Sequence, residues 1–476
     1  MTHAQHFLAG ALTGSARTGR STNPASGADL GTYADAGAED GAAAIAAARA
    51  AFDTTDWSGN RVARHRALNG IADAIEARQD DLIALLAREN GKTLGEAGFE
   101  LSLTVPKLRY YAALALAEGG RAAEVAPGMF LRSVPQAAGV AGVIVPWNSP
   151  VVLAVRSFAP ALAAGCTVAM KMPAQTGLVN GLLHEILASV TDLPAGVLNS
   201  VTESGSEVAK LLVASDDVDV VSYTGSTVVG RQIMAAAAPR LKRLSLELGG
   251  KTPMIVFADA DLDAVVPTLT AAVTTFAGQF CMTGSRILVD EAIADRLRER
   301  MVESLAAVRV GAGDDPQSQM GSMIDAANAR RVDTTVQQAV DAGATALVRG
   351  GQIGGQDSAF YAPTLLQVED LDAPVIQQEV FGPVATFETF ATEDEAVRRA
   401  NATEYGLAAS VWTRDGARAS RVGARIDAGT VWTNTWAVVT DQFEEGGFKQ
   451  SGLGRLNGVG ALAEFQEIKT WVQQAS

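Results

Sequence analysis

The sequence predicts an α/β protein built from two α/β layers that meet near residue 248. Three observations carry this expectation. The chain has 476 residues, too many for one ordinary hydrophobic core. From "GVAGVIVPWNSP" onward, short apolar runs at 140–145, 166–170, 197–201 and 218–223 alternate with helical stretches at 150–163, 177–190, 205–214 and 227–237. A second series follows "LELGGKTP", with apolar runs at 254–257, 286–289, 407–412 and 429–432. Strands that are apolar throughout and separated by helices read as βαβ units around a buried parallel sheet.

Taken in order, residues 41–52, 62–90 and 98–118 carry Ala, Leu, Arg and Glu at helical spacing with few breakers. In the second half, helices are expected at 261–275, 291–307, 324–340, 392–401 and 415–425. The glycine-dense "RGGQIGGQDS" reads as a surface loop. The terminal "AEFQEIKTWV" reads as a strand without an obvious partner, which hints at pairing with another subunit.

Composition narrows the functional classes. With 48% hydrophobic and 19% charged residues the chain is an ordinary globular protein rather than a disordered one. A net charge of −15 argues against nucleic acid or an anionic membrane as partner, because phosphate binding needs clustered Lys and Arg. The N-terminus lacks a signal-peptide pattern, and Pro146, Arg156 and Pro160 interrupt the longest apolar stretch, so no membrane span is expected. Two cysteines and four histidines offer neither a disulfide framework nor a metal-ligand cluster, which points to a cytoplasmic home and no metal.

Four short segments carry residue types suited to chemistry. In "SYTGSTVVG" a strand ends at Tyr223, and Gly225 leads into a helix opening at Ser226 or Thr227. That arrangement presents backbone N–H groups to a phosphate, although an ordinary capped βα turn has the same pattern. The three-glycine dinucleotide fingerprint is absent. In "PWNSP", Asn148 lies between two prolines at a strand end and can aim an amide at a developing oxyanion, or simply occupy a turn. In "LELGGKTP", Glu247 stands beside apolar neighbours, suited either to a base of raised pKa or to an ion pair. In "GQFCMTGSR", Cys281 sits in a short polar loop, while Cys166 falls in an apolar run and reads as core. Thiol, amide, carboxylate and phosphate turn are together what covalent acyl chemistry with a bound nucleotide requires.

The ordered segments "NPASGADL", "LRYYA", "PWNSP", "KMPAQT", "YTGSTVVG", "LELGGKTP", "GQFC", "QEVFGPV" and "GGFKQSGLGR" make the chain resemble an aldehyde dehydrogenase almost from end to end. The resemblance implies two Rossmann-like domains, an NAD(P)-binding one at 1–118 and 139–247 and a catalytic one at 248–440. It also implies a small β oligomerisation element at 119–138 and 441–476, a homodimer or homotetramer, and a small-molecule aldehyde as substrate. By the same resemblance Cys281 is the nucleophile, Asn148 an oxyanion donor and Glu247 the base that activates water. Lys171, Ala174, Gly205, Gly225, Ser226, Glu379, Phe381 and Trp147 correspond to cofactor positions. Ala174 stands where members preferring NAD often carry a glutamate, so NADP is expected to be accepted. Leu103, Ser149, Val152, Leu153, Arg156, Phe280, Met282, Trp436, Val439 and Glu445 correspond to the aldehyde tunnel.

"DQFEEGGFKQSG" places Glu444 and Glu445 where Pro-Phe is usual, and Arg156 replaces what is often an aromatic residue. The stretch "VRSFAPALAAGC" is similar to that of members acting on aromatic aldehydes, so an aromatic aldehyde is one expected substrate. A semialdehyde or aminoaldehyde dehydrogenase of the same fold is an alternative, and so is a non-catalytic binding or structural member.

Overall fold

The computed structural model describes residues 3–117 and 119–475. Two sheets dominate. The first has eight strands in the order 452–453, 243–247, 220–224, 140–144, 167–173, 198–203, 6–8 and 11–13. Its five central strands are parallel, and antiparallel strands close both edges. The second has seven strands in the order 345–348, 364–367, 384–390, 286–290, 253–256, 408–412 and 430–433, parallel except for 345–348.

The central strands are buried along their length, as for Val140–Ile144 and Leu198–Glu203, which explains why they read as apolar runs rather than alternating ones. The connection between Val140–Ile144 and Thr167–Pro173 is the helix Pro150–Ala164, with proline at its first position. Gly165 ends it at φ 98°, a left-handed conformation, and a Cβ there would strike Arg64 and the Ser58 carbonyl. Nearly every residue of this helix is buried, so it is a core helix rather than an amphipathic one.

Several expectations need correction. The single helix expected over 62–90 is two, Arg61–Ala77 and Gln79–Glu89, separated at Arg78. The one expected over 98–118 begins earlier and breaks at Leu103, giving Leu94–Ser102 and Thr104–Ala117. No Gly or Pro announces the break at Arg78, whereas Pro106, in the first turn of Thr104–Ala117, marks the one at Leu103. The strand Val384–Phe390 lies inside the second sheet without having been expected there. Its glutamate, Glu388, disguises it, and that carboxylate is fully buried against Arg286 at 2.8 and 2.6 Å.

The terminal strand Gln466–Gln474 is not an orphan. It pairs antiparallel with Met129–Ala137 over nine residues, and Arg121–Ala126 completes a three-stranded sheet. Residues 441–457, expected with that element, lie elsewhere. Gly452–Leu453 adds an edge strand beside Arg243–Glu247, and Phe448–Lys449 pairs with Tyr405–Gly406.

Candidate active site

Parallel strands of the first sheet end side by side, and their C-terminal edge is where open α/β sheets bind ligands. Thr224 stands opposite Glu247, and Ile144 opposite Lys171. After Thr224 the chain turns through Gly225, whose N–H donates to the Glu247 carbonyl at 3.0 Å. Ser226 then caps the helix Thr227–Ala237, accepting from Val229 N at 3.4 Å. The helix N-terminus opens on a cleft of about 310 Å³ whose walls include Trp147, Gly225, Ser226, Glu247, Glu379 and Phe381.

The residues present fit a dinucleotide. The helix N-terminus suits a pyrophosphate. The Glu379 carboxylate accepts from Gly250 N at 3.2 Å and keeps acceptor capacity for a ribose hydroxyl. Trp147 and Phe381 form an edge-to-face wall with ring centres 5.5 Å apart. Lys171, Ala174 and Gly205 are outside the walls of this cavity, near the ends of the next two strands along the edge. Lys171 is held below its usual pKa by burial, with Glu203 opposing.

Cys281 follows a turn in which Phe276 and Ala277 both hold left-handed backbone, φ 55° and 52°. Such strain persists only where the surroundings impose it. Gln279 supplies part of that constraint, donating to the Phe276 carbonyl and accepting from Ile324 N, both at 3.0 Å. Asn148 reaches across to this turn, its Nδ2 donating to the Gln279 carbonyl at 3.1 Å. A primary amide has two N–H donors, so one is left for a developing oxyanion.

Burial pushes the Cys281 thiol well above its usual pKa. Glu445 adds to the effect and Arg156 opposes it. Glu247 is pushed up to about 8, first by burial, with the Arg156 charge pulling down and Glu445 pushing up. Its Oε1 is buried without a hydrogen-bond partner, uncommon for a carboxylate and suited to receiving a proton.

A second cavity of about 70 Å³ meets the first at Asn148, Leu153 and Cys281, so the thiol stands where the two join. Leu103, Ser149, Val152, Leu153, Arg156, Phe280, Val439 and Glu445, the residues read from the resemblance as tunnel positions, line it. Met282 and Trp436 do not. Met282 is fully buried with Leu407, Ala408 and Trp432. Trp436 supports the wall from behind, its Nε1 donating to the Met282 carbonyl at 2.8 Å and its ring meeting Phe280 edge-on. Glu444 is exposed and accepts from Gly460 N at 2.9 Å.

Further lining residues had no sequence signal: Phe99, Glu100, Lys107, Phe276, Asp441 and Asn457. Lys107 joins Asp441 at 2.5 Å and Asn457 at 2.6 Å, across more than three hundred residues of chain. Asn457 in turn donates to Glu445 at 2.9 Å. Among the described residues no group of three or more His, Cys, Asp or Glu is placed to hold a metal ion.

A thiol, an amide donor and a buried carboxylate line one cleft, and the thiol stands where that cleft joins a small, largely apolar tunnel, a setting found in oxidoreductases of α/β fold. The model of the aldehyde dehydrogenase family matches residues 12–471, and the chain belongs to that family. It is an oxidoreductase acting on the aldehyde group, with NAD or NADP as cofactor.

Among its relatives, a betaine aldehyde dehydrogenase of Bacillus subtilis is 38% identical over 453 residues, 94% of this chain and 92% of that one. A succinate-semialdehyde dehydrogenase of Paenarthrobacter nicotinovorans is 38% identical over 440 residues, covering 92% and 97%. The crystal structure of an NAD-dependent aldehyde dehydrogenase from Sinorhizobium meliloti superposes with a TM-score of 0.97 at 36% identity, covering 100% of this chain and 95% of that one. A betaine aldehyde dehydrogenase from Staphylococcus aureus, crystallised with NAD+, gives 0.96 at 34% identity, covering 99% and 95%.

Proposed function

We propose that the protein oxidises an uncharged aldehyde with an apolar, aromatic body to the carboxylic acid. One observation carries the substrate class: the charged groups around the tunnel are engaged with one another. Arg156 donates to Glu445 at 2.9 Å and to Thr224 at 3.0 Å, while Lys107 pairs with Asp441. No unpaired charge is thus offered by these four to the carboxylate of a semialdehyde or to a quaternary ammonium. The remaining wall is largely hydrocarbon and ring: Leu103, Val152, Phe276, Phe280 and Val439.

In the chemistry this supports, the Cys281 thiolate attacks the aldehyde carbon and forms a thiohemiacetal. Its oxyanion lies against the second N–H of Asn148. NAD or NADP, when bound, supplies the hydride acceptor. Loss of hydride leaves a thioester on Cys281, and Glu247 removes a proton from the water that hydrolyses it. An activated thiolate is required, because burial alone favours the neutral thiol. The three-stranded sheet Arg121–Ala126, Met129–Ala137 and Gln466–Gln474 exposes Val125, Phe130, Ile468 and Val472 and is the proposed oligomer face, in a cytoplasmic homodimer or homotetramer. No described helix is long and apolar enough to cross a membrane.

Steady-state assays with benzaldehyde, hexanal, succinate semialdehyde and betaine aldehyde test the reading. A kcat/KM for benzaldehyde at least tenfold above those of both charged aldehydes is expected. A preference for either charged aldehyde overturns the assignment of substrate class.

A further inference from the structure

Segment 90–100 grips both sides of the pocket in which the Cys281 adduct would form. On one side it holds residues 147–152. Asn90 Nδ2 donates to the Trp147 carbonyl at 2.8 Å, and Lys92 Nζ donates to Ser149 Oγ at 2.9 Å. Glu100 Oε1 accepts from Val151 N at 2.9 Å and Val152 N at 3.2 Å, at the start of the helix Pro150–Ala164. Asn148 lies in the middle of this clamped stretch. On the other side the segment holds the turn leading to the thiol: Glu96 Oε1 accepts from Phe276 N at 2.6 Å, and the Lys92 ammonium sits 4.0 Å from the centre of the Phe276 ring. Lys92 and Glu100 are joined in an ion pair and are 2% and 1% exposed.

We propose that Lys92, Glu96 and Glu100 are positioning residues that fix Asn148 relative to Cys281 for attack on the aldehyde, a role resting on the covalent reading above. The two gripped stretches are otherwise linked by the Asn148–Gln279 hydrogen bond. A single bond of that kind tolerates movement, whereas an oxyanion donor must be placed within a few tenths of an ångström. Buried charges are expensive to keep, and a helix start needs only a Ser or Asp cap. Here Glu100 caps the helix with a carboxylate, which is in turn fixed by a cation that also touches both turns. The brace therefore transmits one geometry to both halves of the pocket. Misplacement of about 1 Å at such a site costs on the order of a hundredfold in rate.

The test compares wild type with Lys92→Met, Glu100→Gln, Glu100→Ala and the double variant Lys92→Met/Glu100→Gln, which restores charge balance where a single change impairs folding. Four quantities are measured on each with benzaldehyde: hydride release with enzyme in excess, acyl-enzyme on Cys281 by mass, Kd for NAD+, and the rate of Cys281 alkylation by iodoacetamide. Alkylation uses the thiolate but no oxyanion donor.

Hydride release in Lys92→Met and Glu100→Ala is expected to fall ten- to a hundredfold, with Kd within about twofold and alkylation within about threefold. Glu100→Gln, which keeps an oxygen acceptor for Val151 and Val152, is expected to lose less than Glu100→Ala. Hydride release within threefold of wild type in the folded variants overturns the positioning role while leaving the covalent reading intact. An equal fall in alkylation overturns it also, by placing the effect on the thiol itself. A Cys281→Ala protein that retains hydride release overturns the covalent reading, and the brace with it.

Discussion

Arg156 Nη1 lies 2.9 Å from Glu445 Oε1, both side chains buried, on the wall of the tunnel that ends at Cys281. The same guanidinium donates to Thr224 Oγ1 at 3.0 Å, one residue before the phosphate turn. Arg156 therefore ties the substrate wall to the cofactor strand. Its charge lowers the pKa values of Glu247 and Cys281, and Glu445 raises both.

Replacing Glu445 by Gln should consequently shift both groups downward. It removes the anion that opposes Arg156 and leaves the cation facing Glu247. The acidic limb of thioester hydrolysis is expected to move to lower pH by about one unit, a differential of about 1.4 kcal/mol. KM for succinate semialdehyde is expected to fall about tenfold, since the guanidinium becomes available to a carboxylate. Arg156→Met should move the limb the other way and destabilise the fold by roughly 3–5 kcal/mol, because it strands a buried carboxylate. Rate profiles in pH, KM for succinate semialdehyde and thermal melts read these effects. A profile unmoved by Glu445→Gln would show that the pair does not govern Glu247.

Cys281→Ala removes the nucleophile and little volume, so aldehyde oxidation should fall by at least about a thousandfold with the fold and NAD+ binding retained. Steady-state rates and a cofactor titration decide this. Residual activity above about a thousandth of wild type contradicts the covalent route.

Glu247→Gln should separate the two half-reactions. Rapid mixing is expected to show one equivalent of reduced cofactor, followed by slow turnover as the thioester accumulates. In the wild-type protein, a base whose pKa is pushed up to about 8 acts in its ionised form. Hydrolysis of the thioester should therefore rise about tenfold per pH unit below that value and level off above it. A variant with neither burst nor turnover assigns Glu247 to activation of the thiol instead.

The βαβ halves were readable in the sequence because their strands are buried on both faces and so appear as unbroken apolar runs. Where burial is achieved with charge, the pattern fails: Val384–Phe390 hides behind Glu388, whose partner Arg286 lies on a neighbouring strand. The motif residues Cys281, Asn148 and Glu247 were found locally, and the structure brings all three to one cleft. Lys107 and Asp441 were not found, since a pair joined across most of the chain leaves no mark in local spacing. Met282 was misassigned to the tunnel because spacing places it beside Cys281 without saying which way its side chain turns.

Cofactor preference is predicted to depend on Ala174, half-buried just past the end of the strand Thr167–Pro173 that carries Lys171. A carboxylate at that position would accept from the 2′-hydroxyl of NAD and repel the 2′-phosphate of NADP. Two nearby glutamates could in principle replace it, and both are already occupied. Glu203 accepts from Val208 N at 2.8 Å and Ala209 N at 3.4 Å, at the start of the helix Glu207–Ala214. Glu207 is paired with Arg17 at 2.9 Å and accepts from Ala38 N at 3.2 Å. Both glutamates thus already spend oxygens on backbone or arginine donors, which leaves neither free to take over the ribose hydroxyl, and Lys171, whose ammonium form the Glu203 charge favours, is the cation expected to attract a phosphate. A charge pair in a partly desolvated cleft is worth about 1–3 kcal/mol, roughly ten- to a hundredfold in affinity. NADP should accordingly be used within about tenfold of NAD, and Ala174→Glu should move the kcat/KM ratio toward NAD by about one to two decades. Steady-state kinetics with both cofactors measure this. A wild-type preference for NAD beyond about a hundredfold, or a ratio unchanged by Ala174→Glu, would show that another residue reads the ribose.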